Sequence, residues 1–221
     1  MSNPNLPKSA DEHIARLRYA LTQNDECGTT HYNLAVALMG KQEFSEAEKE
    51  LHEAIDHSPT LAEAYTLLGG ICLQRGDLEG CYRYNHRATK ARAGFAEGYA
   101  NMGFVLLQLI DGKDEKEDQE KWDKAIKFLK KAVIHNKHFI QAYTTLGTAY
   151  FMKGLVEEGI KANLEALEVE PNFPVAHNNL AVAYLEKEEF AKAIVHCDKA
   201  LELGYEVPSK LQEELAPHRT A

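Results

Sequence analysis

Cations are in short supply. The chain sets 25 Lys and Arg against 34 Asp and Glu, a formal charge of −9 over 221 residues. A nucleic-acid binder needs a basic face, and this balance argues against one. Cysteine is scarce as well. Cys27, Cys72, Cys81 and Cys197 form no CxxC pair, and four thiols in a chain this long make no disulfide framework. A reducing cytoplasm is the expected setting. No apolar run approaches the roughly 20 residues that span a bilayer, so direct membrane insertion is not expected. Residues 1–8 are polar, carry Pro4 and Pro7, and lack the basic-then-apolar order of a secretion signal. They are expected to be disordered. Seven prolines and fourteen glycines leave Ala, Leu, Glu and Lys to dominate, which favours helix. At 44% hydrophobic residues the chain has ample material for a buried core.

Motifs that carry chemistry are also missing. There is no G-x-x-x-x-G-K-[ST] loop, no G-x-G-x-x-G after a strand and no G-x-S-x-G elbow. His52 and His57 flank a stretch superficially like a zinc-protease helix. They are five residues apart, which turns them about 140° from each other on a helix. An EF-hand loop begun at Asp111 fails at Lys113, Lys116 and Trp122. His135 and His138 can share one face of a helix end, where a partial positive charge is favoured without any metal. No catalytic residue, cofactor or metal site is expected.

What the chain does have is a repeat, which is sought before local structure. Ala35, Gly69, Gly103, Gly147 and Ala181 are spaced 34, 34, 44 and 34 residues apart. Ala47, Cys81, Ala125, Gly159 and Ala193 follow at 34, 44, 34 and 34, and so do Ala54, Ala88, Ala132, Ala166 and Ala200. Three series share one period and one irregularity. Tyr65, Leu68, Gly69 and Cys72 fall at i, i+3, i+4 and i+7, as do Tyr143, Leu146, Gly147 and Tyr150, which is a helical stripe. A second helix follows after Gly76-Asp77 or Gly154. Small residues in register let the paired helices approach closely.

These residues resemble the tetratricopeptide repeat. Its 34-residue pattern is matched by Tyr143-x-x-Leu146-Gly147-x-x-Tyr150 with Gly159, Ala166 and Pro171. His31 and His177 replace the opening aromatic residue, and Ala93, Lys137 and Tyr205 replace the closing proline. The resemblance implies an all-α, right-handed superhelical solenoid of five helical hairpins. The units are 28–61, 62–95, 96–139, 140–173 and 174–207. Residues 9–27 read as a half-repeat or capping helix, opened by the Ser9 to Glu12 capping box. Residues 208–221 read as a C-terminal capping helix and tail. The third unit holds the irregularity. Of the eleven residues from Asp111 to Lys121 nine are charged, net −3, and they read as a solvated loop or an extra helical turn at the hairpin tip.

The resemblance further implies that the first helix of each unit lines a concave groove. Its positions here give Asn33 and Val36, then Thr66 and Leu67, then Asn101, Phe104 and Leu107. The fourth unit gives Thr144, Thr145, Thr148, Phe151 and Met152, and the fifth Asn178, Asn179, Val182 and Leu185. None is Lys or Arg. Family members that bind acidic chaperone tails use a clamp of Lys, Asn and Arg on this face, so that partner is disfavoured. The expected function is a non-catalytic scaffold or adaptor binding a peptide segment or amphipathic helix through apolar anchors. One alternative is a self-assembling scaffold whose N-terminal helix occupies a neighbour's groove. Another is a metal-dependent sensor or enzyme accessory subunit.

Overall fold

The structure is a computed structural model and describes residues 9–219. The disorder expected at residues 1–8 and the end of the C-terminal tail lie outside the described residues. Those residues form twelve α-helices and one short 3-10 turn, with no strand among them. They divide into two compact units, one running up to Val105 and the other starting at Leu106.

The first unit contains α1 (Ala10–Gln23), α2 (Gly28–Gly40), α3 (Phe44–His57), α4 (Ala62–Gln74), α5 (Leu78–Ala91) and most of α6 (Ala96–Gln108). Ser9 starts α1 by accepting a hydrogen bond from the Glu12 amide at 3.1 Å. α2 pairs with α3 and α4 with α5, and each hairpin packs on the element before it. The turns inside these hairpins need a left-handed residue, supplied by Gln42 (φ 64°) and Gly76 (φ 78°). Leu34, Leu38, Leu51, Leu68 and Ile71 are fully buried between the helices, with Ile14 of α1 closing one end. Ala35, Ala47 and Ala54 have no exposed surface, so the paired backbones do approach as their size permits.

The second unit contains the end of α6, α7 (Glu115–His135), α8 (Ile140–Met152), α9 (Val156–Val169), α10 (Pro174–Glu186), α11 (Phe190–Glu202) and α12 (Ser209–Leu215). α8 pairs with α9 and α10 with α11, through turns whose left-handed residues are Gly154 (φ 76°) and Glu188 (φ 58°). Leu180, Tyr184 and Cys197 form its core with Leu211 and Leu215 of α12, so the last helix covers the apolar side of the hairpin before it.

From Glu115 onward the charged segment is helix. α7 runs for 21 residues, whereas α3, α5 and α9 run for 14 each. Asp114 caps it by accepting from the Glu117 amide at 2.9 Å. Ahead of it the chain turns at Gly112 (φ 75°), whose amide donates to Asp118 at 2.8 Å. Asp118 is buried and also meets Lys121 at 3.4 Å. The segment therefore satisfies its own polar groups.

Candidate functional site

The residues expected in a groove sort into three kinds. In the first unit Asn33 is exposed, Val36 is 45% exposed and Phe104 is 38% exposed, with Thr66, Leu67 and Asn101 half-buried. In the second unit α8 and α10 lie side by side. They present Thr148, Met152 (46% exposed) and Val182 (44% exposed), with Thr145, Phe151, Asn179 and Leu185 half-buried. Leu107, Thr144 and Asn178 are a correction, because all three are buried and offer no side chain to a ligand. A helical stripe about 100° wide has edges, and these three lie on the core side of it. The buried Asn178 Oδ1 has no hydrogen-bond partner among the described residues.

The threonines are less available than their positions suggest. Thr145 donates to the Gln141 carbonyl at 2.7 Å, Thr148 to the Thr144 carbonyl at 3.1 Å and Thr66 to the Glu63 carbonyl at 2.8 Å. Each hydroxyl proton is committed to its own helix, leaving only acceptor capacity for a ligand. The Phe151 ring lies against Gly159, where an added Cβ would come within 2.2 Å of it. Gly159 is therefore small for the ring's sake.

The asparagines are held from behind. Asn101 Nδ2 donates to Asn85 Oδ1 at 2.9 Å, and Asn179 Nδ2 donates to Asn163 Oδ1 at 3.0 Å. Asn85 and Asn163 are 0% exposed, and each donates its own amide to the carbonyl four residues earlier, Cys81 and Gly159, at 2.8 Å. A Cβ at Gly69 would fall 2.5 Å from the Asn85 amide nitrogen, and one at Gly147 would fall 2.1 Å from that of Asn163. Gly69, Asn85 and Asn101 thus form one interlocked set, and Gly147, Asn163 and Asn179 repeat it. The groove positions of the repeat point to the outer asparagines but not to the buried ones. Spacing does carry a signal for them, because Asn85 and Asn163 each precede an outer asparagine by sixteen residues.

The cations missing from these faces are engaged elsewhere. Lys41 meets Asp11 at 2.6 Å and Arg75 meets Glu48 at 2.7 Å in the first unit. Lys153 meets Asp123, and Lys187 meets Glu157 and Glu189 at 2.7 Å each, in the second. All four cations stand at the C-caps of first helices, where positive charge is favoured. The two carboxylates around Lys187 hold its ammonium well above its ordinary range, by hydrogen bonding first. These pairs are largely solvent-exposed and add little stability, but they tie each cation to an earlier helix.

Histidine occupies the same buried place in the first and last hairpins. His31 contacts the Asp25 carbonyl at 2.8 Å through Nε2 and Glu50 at 2.7 Å through Nδ1. His177 contacts the Pro171 carbonyl at 3.0 Å through Nε2 and His196 Nδ1 at 2.9 Å through its own Nδ1. Burial, then the neighbouring His177, pushes His196 down to about 4.

Antiparallel helix pairs that repeat every 34 residues, with small residues in register and no strand among the described residues, define a tandem helical-repeat protein. Sequence profiles described as the tetratricopeptide repeat match residues 32–80 and 174–203. Those stretches are tetratricopeptide repeats, and repeats of this kind support a protein-interaction scaffold. It is 26% identical over 207 residues to anaphase-promoting complex subunit 7 of Dictyostelium discoideum, covering 88% of this chain. It spans only 34%, about a third, of that relative's length. The solved structure of Pseudomonas aeruginosa pilF superposes with a TM-score of 0.76 at 16% identity, covering 94% of this chain and 90% of that one. YrrB, a TPR protein with an unusual peptide-binding site, superposes with a TM-score of 0.64 at 22% identity, covering 86% of this chain and 93% of that one. At these identities the likeness to solved structures concerns the fold. Among the described residues no helix is long and apolar enough to cross a membrane.

Proposed function

We propose that the chain is a non-catalytic cytoplasmic scaffold whose first helices bind a peptide segment or amphipathic helix bearing apolar anchors. The observation that carries this reading is the face of α8 and α10. Asn179 stands there, oriented by the buried Asn163, beside the exposed Met152 and Val182, with Leu185 half-buried. Asn101 and Phe104 repeat the amide-and-apolar combination within the first unit. With one amide proton of each outer asparagine given to its buried partner, the second proton and a carbonyl lone pair are left for a ligand backbone. The apolar neighbours supply affinity through burial, at roughly 25 cal/mol per Å² before association costs are subtracted. No candidate side chain on these faces is a cation, so the expected ligand has no strong net acidity. All four cysteines are free, which supports a reducing setting.

Selection from a displayed peptide library, followed by titration of the winners, tests this. Winners should carry Leu, Ile or Phe anchors and should lose about tenfold in affinity to Met152→Ala or Phe104→Ala. Raising salt should change their binding little, because exposed ion pairs are not its source. Acidic winners whose binding collapses with salt, and which ignore both substitutions, would move the interaction to the charged surface.

A further inference from the structure

His52 and His57 point apart on their helix and make no zinc site together, but the fold brings a different histidine to His57. His31 enters from α2 and stacks on His57 with ring centroids 5.7 Å apart and planes 13° from parallel. Glu50, Glu53 and His57 follow one another on α3 at i, i+3 and i+7, a single face that meets the His31 ring. Ligand atoms of His31, Glu53 and His57 lie within 4.8 Å of one another. His57 and Glu53 already meet at 3.7 Å.

His31 carries the decisive detail. Both partners of its ring, the Asp25 carbonyl and the Glu50 carboxylate, are acceptors with no proton to give. A neutral imidazole can satisfy only one of them. Both contacts are kept only by a doubly protonated ring, and a divalent ion can take the place of one of those protons once the acceptor facing that nitrogen swings aside. Whichever nitrogen gives its lone pair to a metal, the other keeps its N–H on a carbonyl or carboxylate. That arrangement orients metal-ligating histidines generally. His31 is buried and fixed, whereas Glu53 and His57 are exposed and able to close on an ion.

We propose that His31, Glu53 and His57, with Glu50 beside them, form a binding site for a zinc-class divalent cation in the first unit. Two imidazoles with carboxylate oxygen suit Zn²⁺ at about 2.0–2.2 Å, and rotation of the two exposed side chains closes the remaining distance. Two carboxylates around one ring leave the cluster with an excess of negative charge that a divalent ion neutralises. The last hairpin is a built-in comparison. There His177 takes the place of His31, but its partner is His196, which can donate its own N–H, so no cation is needed. The positions matching Glu53 and His57 are Lys199 and Leu203, neither of which completes a site.

The test is calorimetric titration of zinc chloride into the untagged, chelator-treated full chain. One equivalent is expected to bind, at least tenfold more tightly than to His57→Ala or Glu53→Gln. His177→Phe and Cys27→Ser should leave the affinity unchanged. Cobalt should give visible absorption bands of a four-coordinate ion in the wild type and not in His57→Ala. Both ligand substitutions are at exposed positions, and an unchanged far-ultraviolet dichroism spectrum verifies folding. Binding that survives both ligand substitutions, or falls away with Cys27→Ser or His177→Phe, overturns the site. So does the absence of one-equivalent binding by the wild type.

Discussion

Asn101 is the acceptor-satisfying partner of the fully buried Asn85, and the two sit on consecutive helices in one unit. Removing Asn101 would leave the buried Asn85 Oδ1 without its partner. Asn101→Ala is therefore expected to cost about 1–3 kcal/mol in stability, apart from any effect on binding. The repeat itself supplies the remedy, because the matching places one unit earlier are Leu51 and Leu67. Asn85→Leu with Asn101→Leu should recover part of the loss, with a coupling of about 1 kcal/mol or more in a denaturation cycle. Additive single losses would show that the pair is incidental.

The extra residues before α7 lead to a second prediction. Deleting residues 111–120 restores the 34-residue spacing. It also brings Ile110 to the position that Gln42, Gly76, Gly154 and Glu188 occupy with φ between 58° and 78°. A β-branched residue is strained there, at about 1–2 kcal/mol. The deletion combined with Ile110→Gly is expected to melt within about 4 °C of the wild type. The deletion alone should melt measurably lower. If both fall equally far, the α7 extension contributes packing of its own.

Much of the fold was legible because helical hairpins in a repeat are written in local periodicity. The series through Ala35, Ala47 and Ala54 marks close helix contacts, and those residues are fully buried. The state of the proposed site residues was not legible. The family resemblance implied Asn101 and Asn179 as groove residues but could not say that each amide is already half used. Nor could it say that Thr145 and Thr148 bond their own helix. Leu107, Thr144 and Asn178 were misplaced because a position within a repeat fixes direction only to within the width of a helical stripe. The His31 cluster escaped for a different reason. His31 and His57 lie 26 residues apart, and only the pairing of α2 with α3 brings them together.

Thiol chemistry distinguishes the four cysteines. Cys27 is partly exposed, and the Thr30 hydroxyl at 3.1 Å holds its thiol below the ordinary range. Burial pushes Cys81 up to about 11 and raises Cys72 and Cys197. The thiolate is the reactive form. In the native protein one thiol should react with Ellman's reagent well ahead of the rest, and in denaturant all four should react alike. Cys27→Ser should abolish the fast phase. A fast phase that survives it would mean that a buried thiol is reached by local opening.

The last prediction concerns acid. His196 is pressed between His177 and the Tyr184 ring, which stacks on it at 5.6 Å. His177 meets the Pro171 carbonyl through Nε2 at 3.0 Å and His196 Nδ1 through its own Nδ1 at 2.9 Å, so His196 has a ring partner in its unprotonated form. Burial lowers the His196 value from 6.5 to about 4. A depressed value means that the unfolded chain takes up a proton at a pH where the folded chain does not. The full contribution of the unprotonated His196 is therefore present above about pH 6.5 and is lost as pH falls toward 4. By pH 5 the loss should reach roughly 1–2 kcal/mol, since a tenfold difference in proton affinity between the folded and unfolded chains is worth about 1.4 kcal/mol. Denaturant titrations at pH 7 and pH 5 measure it. His196→Phe keeps a ring against Tyr184 and removes the titration, so its stability should fall less between the two pH values than that of the wild type. Hydrogen exchange should place the acid sensitivity in α10 and α11, which carry the pair. An equal pH response in wild type and His196→Phe would assign the acid lability to other groups.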